Sequence, residues 1–169
     1  ALLTLPLLQK QIALKTVTKV LVLSYLLNFI GTQIVAYFMS YQTGLLSSEM
    51  YQAYLHKYAT AKVDQEFTKV LLKGIGANWL VCLGTWMGYA GRDVVSKCIG
   101  IWIPVMLFVT LGYEHSVANM YFIPTAIYTG ADISWLSFIF QNLLPSTIGN
   151  IIGGMGLVGC VYWFVYLKK

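Results

Sequence analysis

Two adjacent ionisable residues, Glu114 and His115, interrupt an otherwise apolar stretch of the sequence, and Asn119 follows one helical turn later. The stretch starts at Cys98 and would cross a bilayer by about Ile123. An ordinary lipid-facing helix does not carry ionisable side chains such as these. Histidine has a reference pKa of about 6.5, so His115 can donate a hydrogen bond when neutral, or carry a proton on the acid side of a gradient. This segment is the candidate site, and the alternative is a structural histidine satisfied by its neighbours.

A helix that breaks inside a membrane is stable only where it lines a cavity or is buried in protein, because free backbone groups in hydrocarbon are costly. We therefore predict two half-spans, residues 98–113 and 117–127, on either side of Glu114 and His115. The position of the break, and the fact that the sequence has no other intramembrane histidine, favour a functional role for His115. Glu114 carries a fixed negative charge and therefore needs buried partners.

The composition places these residues in a membrane protein. Hydrophobic residues make up 58% of the chain and charged residues only 10%, which lies outside the range of soluble domains. The 169 residues allow four or five crossings of about 20 residues each, which excludes a hidden soluble enzyme domain. The net charge of +5 comes from lysines in short connections and not from one basic face. It therefore indicates how the chain is oriented in the membrane, and it argues against nucleic-acid binding.

We expect one all-helical transmembrane domain over residues 1–169, with full spans at about 20–41, 68–90 and 145–167 besides the broken one. Pro145 suits the first turn of the last span. Glycines in this span permit close helix contact. They are Gly149, Gly153, Gly154, Gly156 and Gly159.

Basic residues predict the orientation of the chain. The loop over 42–73 contains four lysines together with three acids. The other side carries Lys10, Lys15, Lys19, Arg92, Lys97, Lys168 and Lys169. Because positively charged residues concentrate on the cytoplasmic side, we expect that side, with the C-terminus, to be cytoplasmic and the membrane to be the plasma membrane.

The cysteines do not suggest a metal site. Cys82, Cys98 and Cys160 lie in or beside apolar stretches, without a CxxC pair or a histidine at zinc-ligand spacing. We interpret them as buried small hydrophobic residues and expect neither a metal nor a cofactor.

Three separated motifs resemble the formate/nitrite transporter family, in the family's order. They are GIGANWLVC at residues 74–82, GYEHSVANM at 112–120 and PSTIGNIIGG at 145–154. The resemblance implies an aquaporin-like bundle of two inverted three-span repeats, assembled as a homopentamer with one pore in each protomer. This chain would supply the last four spans, and we expect it to lack counterparts of the first span and the first broken helix.

The resemblance also implies roles for individual residues. His115 would face the pore, and Lys62, Asn78, Glu114 and Asn119 would form a polar cluster behind it. Lys62 would spread positive potential towards the histidine, whereas the sequence alone favours a solvated loop lysine.

The resemblance places a hydrophobic constriction at Val81 and Phe108. Val81 lies eleven residues before Arg92, and Phe108 lies eleven residues after Lys97, so both lie about 16 Å above the cytoplasmic ends of their helices. Without the resemblance, the two side chains would equally face lipid or neighbouring helices.

The expected function is transport of small monovalent anions or weak acids such as formate or nitrite, either channel-like or coupled to protons. A small anion loses on the order of tens of kcal/mol of solvation in a dry apolar pore. A path therefore needs electropositive mouths and a group that offsets charge at the constriction, and His115 is the candidate. Lactate and hydrosulfide are further possible substrates.

Two other functions are less compatible with the sequence. An aquaporin-type facilitator of neutral solutes would carry paired Asn-Pro-Ala signatures, for which Ala118-Asn119-Met120 is no substitute. A structural subunit of a membrane enzyme complex that holds haem would need a second histidine at similar depth, whereas His56 lies in the loop.

Overall fold

A computed structural model describes residues 1–168 and shows only helices and their connections in that range. Lys169 lies outside the described residues. The all-helical class predicted from the sequence is confirmed. Within residues 1–168 there are seven helices: α1 (Thr4–Leu8), α2 (Leu14–Tyr41), α3 (Glu49–Val63), α4 (Phe67–Ala90), α5 (Val94–Thr110), α6 (Ser116–Tyr128) and α7 (Trp135–Tyr166).

Three of these helices are long and apolar enough to cross a membrane. They are α2, α4 and α7, with 28, 24 and 32 residues. At a rise of about 1.5 Å per residue, even α4 exceeds the roughly 30 Å of a bilayer's hydrocarbon core. The end of α2 and two stretches of α7 have wider π-helical turns: Val35–Tyr41, Phe138–Leu143 and Ile152–Cys160.

The third hydrophobic stretch is broken as predicted, into α5 and α6. The end of α5 is followed by Gly112 at a φ of 62°, a left-handed conformation that glycine adopts without steric cost and that commonly ends helices. The chain becomes helical again at Ser116, and the His115 ring caps the new helix by accepting from the Ala118 backbone N–H at 3.4 Å. The break thus lies at Glu114 and His115, and the half-helices begin slightly earlier than 98 and 117.

The last helix begins at Trp135, well before the predicted start at Pro145. Its first turn is capped by the Ser134 hydroxyl, which accepts from the Ser137 backbone N–H at 3.0 Å. Pro145 lies inside the helix, two residues after the end of the π-helical stretch Phe138–Leu143. Wider turns give the proline ring room against the preceding carbonyl groups, so the helix continues through it.

The expected burial of the cysteines is wrong for two of the three. Cys98 and Cys160 are exposed on their helices, and Cys82 is half-buried. A small apolar side chain is equally stable on a helix surface that faces lipid, so apolar surroundings in the sequence do not distinguish burial in protein from contact with the membrane.

Helix α4 packs against α7 through glycines. A Cβ on Gly149 would meet the Leu71 carbonyl oxygen and would lie 3.0 Å from the Gly74 Cα, and a Cβ on Gly153 would meet the Ile75 carbonyl oxygen. The backbones of the two helices therefore touch, as small residues in membrane helices permit.

The short helix α3 docks onto the bundle by one face. Leu55, Ala59 and Lys62 are buried at helical spacing, whereas Tyr51 and Tyr54 are exposed. The apolar part of this face packs with residues of α6 and the start of α7, such as Ile123 and Phe138. The same docking carries Lys62 to the break between α5 and α6.

Adding one methyl group at the α4–α7 contact should destabilise the protein. We expect Gly149→Ala to lower the free energy of unfolding by about 1–3 kcal/mol, because the new Cβ overlaps rigid backbone. Thermal unfolding in detergent measures the change. Gly156→Ala in the same helix is the control, since a Cβ there has no atom within 4 Å and should leave stability unchanged. Equal stabilities of the two variants would contradict this account of the contact.

Candidate functional site

The Glu114 carboxylate is buried, with 1% of the residue exposed, and four side chains donate hydrogen bonds to it. Its Oε2 accepts from Lys62 Nζ at 2.9 Å, from Asn119 Nδ2 at 2.7 Å and from Asn142 Nδ2 at 3.2 Å. Its Oε1 accepts from Gln65 Nε2 at 3.0 Å. We call these five residues the Glu114 cluster. The four donors satisfy both oxygens of the buried carboxylate.

Lys62 and Glu114 form a buried ion pair, with Lys62 only 5% exposed. Burying two charges costs several kcal/mol per ion, and the pair is stable only when further hydrogen bonds satisfy both groups. The amides of Asn119 and Asn142 supply these bonds to the carboxylate. The Lys62 ammonium also lies 5.0 Å from the centre of the Tyr58 ring, an attractive cation–π distance.

Asn78 forms no hydrogen bond with Glu114. Its Nδ2 donates to the Asn150 carbonyl oxygen at 2.6 Å. The Asn150 side chain donates to the Gly74 and Glu114 carbonyl oxygens at 2.8 and 2.9 Å and accepts from the Ser116 backbone N–H at 2.8 Å. Asn150 therefore satisfies backbone groups on both sides of the break, and Asn78 reaches the site only through it.

Three residues of this site, Gln65, Asn142 and Asn150, were not predicted as site residues. Asn142 lies before the predicted start of the last span at Pro145, where an asparagine in a connection is ordinary. Asn150 was visible as a polar residue inside an apolar span, which marks a functional candidate. Gln65 lies in a polar loop and nothing in the sequence distinguishes it.

His115 lines a cavity of about 420 Å³ between α2, α4, α6 and α7. We call it the His115 cavity. Its polar lining comes from Tyr25, Asn78, Ser116, Thr147 and Asn150. Because the Nδ1 of His115 accepts from the Ala118 backbone, a neutral ring carries its proton on Nε2. The ring can therefore offer one N–H donor without losing its cap on α6.

The structure brings Phe108 to the histidine. The Phe108 ring is buried and its centre lies 5.7 Å from that of His115, whereas Val81 is half-buried on α4. Neither residue lines the His115 cavity.

A second cavity, of about 270 Å³, lies towards the N-terminus of the chain. Its lining includes Cys82, Thr85 and Trp86 of α4, and Leu21 lines both cavities. We call it the Trp86 cavity. Val81 therefore lies on α4 between Asn78, which lines the first cavity, and Cys82, which lines the second.

In residues 1–168, no three His, Cys, Asp or Glu side chains come together as a potential metal site. The second histidine, His56, lies on α3, where its Nε2 is 3.0 Å from the Thr129 hydroxyl oxygen.

Comparison with known proteins identifies the family. The family model for formate/nitrite transporters matches residues 1–164. The chain belongs to the formate/nitrite transporter family. The resemblance inferred from the three motifs is thereby confirmed, and the chain is part of an integral, multi-pass membrane protein.

Named relatives agree with this assignment. A probable formate transporter of Methanothermobacter thermautotrophicus is 40% identical over 162 residues, covering 88% of this chain and 59% of the relative. The formate channel BtFdhC of Bacillus thuringiensis is 39% identical over 170 residues, covering 99% of this chain and 63% of the relative. The chain thus spans about three fifths of the length of these two relatives.

Two solved structures share the fold. The structure of an FNT family ion channel matches with a TM-score of 0.86 at 32% identity, covering 96% of this chain and 65% of that one. The structure of a pentameric formate channel with formate bound matches with a TM-score of 0.75 at 32% identity, covering 83% of this chain and 62% of that one.

Removing one partner of the buried ion pair should strongly destabilise the folded protein. We expect Lys62→Met to lower the free energy of unfolding by about 3–5 kcal/mol, because Glu114 is left as a buried charge without a counter-ion. Adding Glu114→Gln should restore much of the loss. Chemical unfolding in detergent measures both changes.

Lys57→Met is the control for this pair, since Lys57 is exposed on the same helix α3 and should tolerate the change. A double variant less stable than Lys62→Met alone would contradict the assignment of Lys62 as the counter-ion.

Proposed function

We propose that the protein to which this chain belongs passes small monovalent anions, or their conjugate acids, across the membrane, with formate as the principal substrate. The observation that carries the proposal is the position of His115. It lies at a helix break, lines a cavity and directly follows Glu114, the centre of the buried Glu114 cluster. The formate transporters and channels among the relatives support this substrate. Nitrite, lactate and hydrosulfide are further candidates, each a small monovalent anion.

The proposed mechanism follows from the cost of moving charge into an apolar path. An anion that leaves water loses solvation, and the low dielectric raises its effective pKa because the charged form is disfavoured. Formate would therefore take up a proton near His115, or would accept a hydrogen bond from its Nε2, at the point where water is scarcest. The substrate then crosses as the neutral acid or together with a proton, so protons are a partner of transport.

We propose a constriction between the two cavities. Phe108 contacts His115, and Val81 lies between the residues of α4 that line the His115 cavity and those that line the Trp86 cavity. An apolar pair at this level would exclude water and hydrated ions while a small neutral acid passes.

We also propose the assembly and orientation of the protein. A homopentamer with one path in each protomer is supported by the similarity to the pentameric formate channel. Gln9 donates to the Leu167 carbonyl oxygen at 3.1 Å, so Lys10 and Lys168 share one side with the C-terminus. We infer that this basic side faces the cytoplasm. The bilayer is then the plasma membrane, and its lipid is a further partner.

Replacing His115 should remove proton-linked transport. We expect His115→Phe in liposomes to abolish or strongly reduce formate flux driven by a pH gradient, because the imidazole that can donate to the substrate or exchange a proton with it is lost. Flux is followed by stopped-flow light scattering or by an internal pH dye. His56→Phe removes the sequence's other histidine and should keep the wild-type pH dependence. Wild-type formate rates in folded His115→Phe protein would make the histidine purely structural.

Shortening Phe108 should widen the path. We expect Phe108→Ala to raise the rate of lactate flux relative to formate flux, since the constriction would then admit a larger acid. The ratio of the two initial rates is measured in the same liposomes. Phe164→Ala, on the exposed side of α7, should leave the ratio unchanged. An unchanged ratio in Phe108→Ala would argue against a constriction at this residue.

A further inference from the structure

The Lys62–Glu114 pair has little field outside itself. Its two charges lie 2.9 Å apart, so at distances well beyond that separation their potentials largely cancel. Lys62 therefore contributes a local dipole, and an anion in the approach to the site experiences little of its charge. An excess of positive potential beside the Glu114 cluster needs a cation whose charge no carboxylate neutralises.

Lys73 is such a cation. Its side chain is half-buried on α4, and its Nζ donates to Gln65 Oε1 at 2.5 Å. In residues 1–168, no carboxylate oxygen lies within the 4.0 Å of a salt bridge to this ammonium. Its hydrogen-bond partner is a neutral amide, which orients the ammonium and leaves its charge in place.

Gln65 joins Lys73 to the Glu114 cluster. Because its Oε1 accepts from Lys73, its Nε2 must be the atom that faces Glu114, to which it donates at 3.0 Å. The amide orientation is therefore fixed by a cation on one side and an anion on the other. Counting Lys62, Glu114 and Lys73 together, the extended cluster carries one net positive charge, and Lys73 supplies it.

We propose that Lys73 is the residue that gives the region beside the Glu114 cluster its net positive potential and draws the substrate anion towards His115. The inference rests on the proposed function and adds to it a residue that attracts the substrate. A partly buried charge is screened less by water and salt than an exposed one, so one such charge affects an approaching anion at a distance where the Lys62–Glu114 dipole does not.

Lys69 provides a matched control. It lies one helical turn before Lys73 on α4, so its replacement removes the same charge near the same end of the helix. Its Nζ lies 3.3 Å from Glu66 Oε2, and the two side chains are 63% and 75% exposed. Exposed ion pairs of this kind have weak effects because water and salt screen them.

The test compares initial formate influx into liposomes at low formate concentration, in low and in high salt, for the full-length wild type and its Lys73→Met, Lys73→Arg and Lys69→Met variants. We expect Lys73→Met to slow influx about threefold to tenfold in low salt, because one charge without a counter-ion is lost beside the path. The loss should shrink in high salt. Lys73→Arg and Lys69→Met should stay within about twofold of wild type.

Each other result overturns the inference. Equal rates for Lys73→Met and Lys69→Met would show that Lys73 has no special electrostatic effect. A loss that is unchanged by salt, or that Lys73→Arg shares, would show a structural role. If the wild type takes up formate and the Lys73 and Lys69 variants do so at the same rate, this inference alone is rejected. If the wild type takes up no formate, the proposed function is rejected and the inference with it.

Discussion

The burial of one negative charge organises this part of the molecule. Glu114 lies where water cannot reach it, and an unpaired carboxylate there would be unstable. Its donors come from three separate segments of the chain: α3 and the loop after it, α6, and α7. Each of these segments has to dock correctly for the carboxylate to be satisfied. The same hydrogen bonds that stabilise the charge therefore fix the position of the elements around His115.

The helix break also leaves polar groups that need hydrogen-bond partners. Ending α5 and starting α6 inside the bundle leaves backbone groups without helical partners, and in hydrocarbon these groups would remain unpaired. The Asn150 side chain satisfies the Glu114 carbonyl and the Ser116 N–H, and the His115 ring caps α6. The histidine is thus positioned by the backbone that it helps to satisfy, and its second nitrogen remains available to the cavity.

Much of this arrangement could be predicted from the sequence, because ionisable residues inside an apolar stretch have few stable solutions. The break at Glu114 and His115 follows from that argument alone, whereas Lys62 needed the family resemblance, since a lysine in a polar loop is ordinary. Asn142 could not be predicted. Its recognition depended on the start of α7, and the π-helical turns that carry the helix through Pro145 have no clear sequence signal.

The contact between α4 and α7 bears on how the protein can move. Helices that interdigitate side chains can slide as rotamers change, but two backbones in contact at Gly149 and Gly153 have no rotamers to exchange. We therefore expect the two helices to move together. Any conformational gate has to be sought elsewhere, in α2 or at the α5–α6 junction, where motion leaves the glycine contact intact.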